Sequence, residues 1–208
     1  YKNDIDLCFL SIDKYLATTL VVKNGIHVTL DAKSKKAINF LGSSKKGIFT
    51  GPDAEATKYF NNASKVASKG YNMKSGELVF HSKDSASIRS TKLAKAFYKQ
   101  QKDLDKYITK HPSPYTKIVA NNELAQYYYH QMIINWGVPL EEKLLNKMLN
   151  YKAEHSSLWT NDFYSLLYNK LFYGNRDVYN HQTQVTMRNL LPPDEQEDFE
   201  LFFTEMMK

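Results

Sequence analysis

A single cysteine, Cys8, leaves this 208-residue chain without an internal disulfide, which excludes the small cross-linked secreted folds. Its neighbours Leu7 and Phe9 predict a buried thiol rather than a nucleophile. A reducing, intracellular setting is expected, cytoplasmic or nucleic-acid-associated. Long apolar runs are missing as well: none approaches the roughly 18 residues of a membrane helix, so no membrane partner is expected. The chain opens on Tyr1 rather than Met, as an excised domain or a processed chain would, and its first residues do not read as a signal peptide.

Motifs that usually carry chemistry are missing too. The histidines, His27, His81, His111, His130, His155 and His181, fall in no HExxH or paired Cys/His arrangement, so no structural zinc site is indicated. No GxSxG elbow marks a nucleophilic serine. Gly42-Ser43-Ser44-Lys45-Lys46-Gly47 has the glycine spacing of a phosphate loop, but Ile48 and Phe49 stand where Lys and Ser or Thr must follow. That argues against a nucleotide hydrolase. The sequence therefore assigns no catalytic residue, no metal and no cofactor, and leans away from an enzyme.

What is present is enough apolar material for a core, 42% hydrophobic with 13% aromatic residues, and an uneven distribution of charge. Residues 1–117 carry 21 basic and 10 acidic side chains, and residues 118–208 carry 7 and 12. The two parts are thus +11 and −5, which make up the net charge of +6. Such asymmetry gives the molecule two unlike ends. His111-Pro112-Ser113-Pro114 lies near the change in composition, and two prolines interrupt any helix there. The expected fold is α+β, with a basic half of β-hairpins and helices over 1–110 and an acidic helical bundle over 115–208, as two units or one continuous domain.

Asn24-Gly25 between Thr18–Lys23 and Ile26–Leu30 predicts a two-residue hairpin. In that register Val22 faces His27, and His27 stands roughly 13 Å from Asp31 at about 3.3 Å per residue. A second strand pair is predicted from Ala37–Leu41 and Gly47–Thr50, because Ser34-Lys35-Lys36 is echoed by Ser44-Lys45-Lys46. Pro52-Asp53-Ala54-Glu55 opens a helix that Gly70 stops. Leu78-Val79-Phe80 reads as a further strand, and Ser87 to Lys110 as a long basic helix with Leu93, Phe97, Leu104 and Ile108 along one face. Downstream, Asn121 or Asn122 caps a helix that ends at Gly137. Pro139 opens another, and Thr160 or Asn161 caps a third that runs to Tyr173. Two more helices are expected over Asp177–Leu190 and after Pro192-Pro193.

Three groups of residues are candidates for function. Lys33, Lys35, Lys36, Lys45 and Lys46 gather in neighbouring loops, and Lys92, Lys95, Lys99, Lys102 and Lys106 recur every three or four residues on the long helix, which aligns them in one stripe. Lysines without an arginine fork suit phosphate-backbone contact with little readout of sequence. Tyr127-Tyr128-Tyr129 turns through about 200° of a helix, which predicts a ring available for base stacking or a partner. His27, Asp53 and Glu55 are the residues from which a metal-dependent nuclease site could be built. The leading expectation is a non-enzymatic protein that binds the RNA or DNA backbone in genome packaging or replication and self-assembles through its C-terminal helices. The alternative is a scaffold module whose aromatic and acidic C-terminal helices bind a protein.

Overall fold

The computed structural model describes residues 5–12, 16–30 and 47–173. Among them the fold is mixed α+β, with small sheets confined to the N-terminal strands and one short later strand, and helices elsewhere. Strand β1 (Asp6–Ile12) pairs antiparallel with β2 (Leu16–Val22), from Asp6↔Val22 to Ile12↔Leu16. Strands β3 (His27–Leu30) and β4 (Gly47–Thr50) form a separate antiparallel pair. The helices are α1 (Ala54–Ser68), α2 (Tyr71–Gly76), α3 (Ala86–Lys110), α4 (Thr116–Ile134), α5 (Glu142–Leu149) and α6 (Leu158–Tyr173). A two-residue strand, β5 (Ser156–Ser157), lies parallel to β1 and completes the sheet order β2-β1-β5.

The expected hairpin across Asn24-Gly25 does not form. β2 pairs with β1, and His27 faces Thr50 rather than Val22. The reason lies 28 residues downstream of the turn. One oxygen of Asp53, Oδ2, accepts the backbone N–H groups of Lys23, Asn24 and Gly25 at 2.8, 2.6 and 2.8 Å, so the chain bends around a carboxylate instead of closing on itself. Gly25 and Gly51 both have positive φ, 111° and 96°, and a Cβ on Gly51 would lie 3.3 Å from the Gly25 carbonyl oxygen. Only glycine fits that approach without strain. Of the second predicted strand pair, Gly47–Thr50 is β4, while Ala37–Leu41 lies outside the described residues.

Helix α1 covers the free edge of β2 with side chains. Asn61 accepts from the N–H of Thr19 and donates to its carbonyl, Thr57 accepts from the N–H of Val21, and Asp53 takes that of Lys23. Four helical residues rise about 6 Å and two strand residues about 6.6 Å, so the 53-57-61 row keeps step with the 23-21-19 row. The helix thereby satisfies an edge that would otherwise invite another strand.

Cross-strand neighbours Leu7 and Val21 turn toward α1 and pack with Ala56, Phe60 and Leu104, together with Ile118 and Val119 from beyond the His111–Pro114 turn. One core thus draws on both sides of the composition change. On the sheet's other face Leu10, Leu20 and Val22 meet Phe49, Ala54, Ile26 and Val28. Helix α4 is buried on most sides. Its C-terminal half joins Met148, Leu149, Tyr151, Phe163 and Leu167 in a second core.

Several local expectations need correction. Leu78-Val79-Phe80 is not a strand but part of a π-helical turn over Glu77–His81 that continues α2. Leu78 and Val79 are both buried, which consecutive residues on a two-sided strand exposed on one face cannot be, and Arg89 donates to both of their carbonyls and to that of Ile134. Cys8 is exposed, because β1 turns Leu7 inward and its successor outward. Helix α4 starts at Thr116, so Asn121 and Asn122 are interior positions and not caps. Helix α6 starts at Leu158, where Ser157 and Thr160 form a reciprocal capping box with bonds of 2.8 and 3.1 Å. The helices expected over Asp177–Leu190 and after Pro193 lie outside the described residues.

Candidate nucleic-acid interface

The lysine stripe of α3 follows from how that helix is held. Ser85 caps its N-terminus, and Leu93, Gln100 and Leu104 are its buried residues. At 100° per residue these three point about opposite to the mean direction of Lys92, Lys95, Lys99, Lys102 and Lys106. All five lysines are exposed. From Lys92 to Lys106 the row extends roughly 21 Å at 1.5 Å per residue.

Their electrostatic surroundings differ. The Lys92 ammonium sits 2.5 Å from Asp84 and holds that carboxyl below its ordinary range. Lys106 is 3.5 Å from Asp103. Lys102 lies 4.5 Å above the ring of Tyr98, whose side chain is 63% exposed. Of the five, Lys95, Lys99 and Lys102 thus have no ion pair among the described residues, and one exposed aromatic ring, Tyr98, lies between them. Sequence reasoning missed Tyr98. Its signal is its place one turn from both Lys95 and Lys102, away from the Leu93 face.

Lys33, Lys35, Lys36, Lys45 and Lys46 lie outside the described residues. The three consecutive tyrosines are engaged within the fold. Tyr127 stacks on Phe97 at 4.2 Å and 10°, Tyr128 packs between Tyr151 and Phe163, and Tyr129 lies against Trp159 at 5.3 Å. Phe97, placed by sequence on the core face of α3, supplies the partner for Tyr127.

His27 and Glu55 are exposed, whereas Asp53 is 5% exposed with Oδ2 committed to three backbone donors. Burial pulls the Asp53 carboxyl upward, but those bonds and the Asn24 side chain together hold it below its ordinary value. Such a carboxylate is a structural anchor. Among the described residues no three His, Cys, Asp or Glu side chains come together as metal ligands would, and no helix is long and apolar enough to cross a membrane.

No protein-family model, curated protein or solved structure matches the chain.

Proposed function

We propose that the protein binds nucleic acid through its phosphate backbone, without catalysing a reaction on it, and that α3 supplies the described part of the contact. The observation that carries this reading is the aligned row of exposed lysines on one continuous helix, with Tyr98 among them. Five ammonium groups along roughly 21 Å suit the phosphates of a single strand or of one duplex strand, and an exposed ring flanked by cations suits an unpaired base. Arg89, the arginine of the basic half, is occupied by three carbonyls. That leaves lysine as the contacting cation, which favours backbone binding over base readout. RNA and DNA are both served by this chemistry.

The opposite charge of residues 118–208 supports self-association, with the acidic part of one copy against the basic part of another, as packaging or replication-associated proteins require. The test is fluorescence anisotropy with a labelled 20-nucleotide random RNA or DNA at low salt, comparing wild type with the triple variant Lys95→Gln, Lys99→Gln, Lys102→Gln. Wild type should bind and the variant should weaken at least tenfold. Lack of binding by wild type at low salt would remove the proposal.

A further inference from the structure

A cleft of about 430 Å³ opens between the β1–β2 sheet, α1, α2, α4 and the start of α6, and uses none of the α3 lysines. Its lining combines the apolar and aromatic groups Leu7, Phe60 and Trp159 with the carboxamides of Asn72, Asn122 and Gln126. Glu123 reaches it from the middle of α4 and is only 3% exposed. Its Oε1 accepts from Ser64 at 3.0 Å and its Oε2 from Gln100. Ser64 itself lines the cleft and Gln100 does not, which puts Oε1 on the open side.

Two features of this cleft are unusual for plain packing. Glu123 is a buried acid with neutral hydrogen-bond donors and no ion pair among the described residues, and buried carboxylates are ordinarily paired with a cation. Asn122, 7% exposed, makes no side-chain hydrogen bond among the described residues, and its carboxamide is not fully enclosed, so it stays accessible from the cleft it lines. Both belong to one turn of α4 and both line the same cavity. A volume of this size falls within the range of small-molecule sites, which combine apolar walls with a few convergent polar groups.

We propose that this cleft binds a small organic cation, a primary amine on an apolar body, with its ammonium on Glu123 and the carboxamides of Asn122 and Gln126 and its body against Phe60 and Trp159. A neutral sugar could use the amides and the indole but gives no role to an acid without a cation. An ammonium supplies the missing counter-charge, and its three donors match the carboxylate and two amide carbonyls. Lys65, exposed at the rim on α1, is the one cationic side chain of the lining.

The acid is set to respond to pH in the physiological range. Burial, opposed by the bonds from Ser64 and Gln100, raises the Glu123 carboxyl to about 7. Of the other titratable groups packed nearby, Tyr71 on α2 is kept protonated by burial with the charge of Glu123 adding to it, and His130, which contacts Tyr71 and Trp159, is lowered by burial to about 4. Glu123 is the group in the cleft that changes charge near neutrality. An ammonium should therefore bind more tightly as pH rises.

The test uses phenethylamine and its neutral counterpart 2-phenylethanol on the full chain carrying Trp136→Phe, which leaves Trp159 as the single indole. Phenethylamine should change the Trp159 fluorescence saturably, with affinity rising roughly tenfold from pH 6 to pH 8, and 2-phenylethanol should bind more weakly with no such rise. In Glu123→Gln the pH dependence should vanish and the affinity at pH 8 should fall about tenfold. Equal binding of amine and alcohol at pH 8, or a flat pH profile in the wild-type acid, overturns the proposal. So does saturable binding of glucose at pH 8 with no response to phenethylamine. The wild-type pH series decides the matter even if the variant fails to fold.

Discussion

At Asp53 three backbone donors depend on one carboxylate oxygen. Replacing Asp53 with alanine leaves three part-buried N–H groups at the turn without their carboxylate partner, and hydrogen bonds to charged groups contribute more than neutral ones. Asp53→Ala should lower unfolding stability by about 3 kcal/mol in urea titration; an unchanged midpoint contradicts the anchor role, and retained nucleic-acid binding at low temperature separates that role from the interface.

Glu123 and the two buried histidines pull stability in opposite directions with pH. The carboxyl rises from an ordinary 4.5 to about 7, so its contribution is complete below the unfolded value and is lost as pH rises through about 7. Burial lowers His130 and His155 from 6.5 to about 4. Their neutral native forms add stability above 6.5 that is lost as pH falls toward 4. His155 is wholly buried, and neither ring nitrogen has a hydrogen-bond partner among the described residues, which fits a neutral ring. Between about pH 5 and 6 the two histidines outweigh the acid by one proton, so stability should climb with pH by about 1.4 kcal/mol per pH unit. In Glu123→Gln the slope should roughly double, as read from urea unfolding at several pH values. An identical slope in the two proteins rules out a raised Glu123.

At the scale of elements, helices were legible and strand pairing was not. Helix α1 begins just after the Pro52-Asp53 signal and ends before Gly70, and α3 runs from Ala86 to Lys110 against an expected Ser87 to Lys110. Those signals are local: caps, prolines and a spacing of 3.6. Asn24-Gly25 is a local signal as well, but it was overruled by a carboxylate 28 residues away and by side chains of α1 that satisfy the edge of β2. The π turn was unreadable for a similar reason. Leu78-Val79 has the composition of a strand, and only Arg89 with the packing of Leu93 and Ile134 makes both residues inward-facing. The candidate interface was half legible, since the lysines declare their stripe by spacing while Tyr98 looks like any other aromatic until the core face of α3 is known. Asn122 and Glu123 were invisible as cleft residues because polar residues after Ala120 read as a helix start.

An element-scale prediction follows from the edge cover. Thr57→Val keeps the shape of the buried side chain but removes the partner of the Val21 N–H. It should cost about 1 to 3 kcal/mol, and amide exchange at Val21 should accelerate more than at Leu93. Equal exchange at both positions would show that the helix does not protect the strand.

For the whole molecule, the division into +11 and −5 is the property that a partner would sense at a distance. The described structure joins the two parts through a shared core of Leu7, Leu104, Ile118 and Val119, so the charge asymmetry is displayed on one connected framework. Deleting residues 192–208 removes six acids and tests whether the acidic part mediates self-association; the expected result is a smaller particle on size exclusion with the circular dichroism of the remaining helices kept.

Phosphate contact through α3 would show itself in the salt dependence of oligonucleotide affinity. The logarithm of the association constant should fall linearly with the logarithm of salt, and each lysine–phosphate contact removed should reduce that slope by about 0.7 to 0.9. The Lys95, Lys99 and Lys102 triple glutamine variant should show a slope shallower by about 2 to 3 than wild type. Two parallel lines with the same intercept would contradict it.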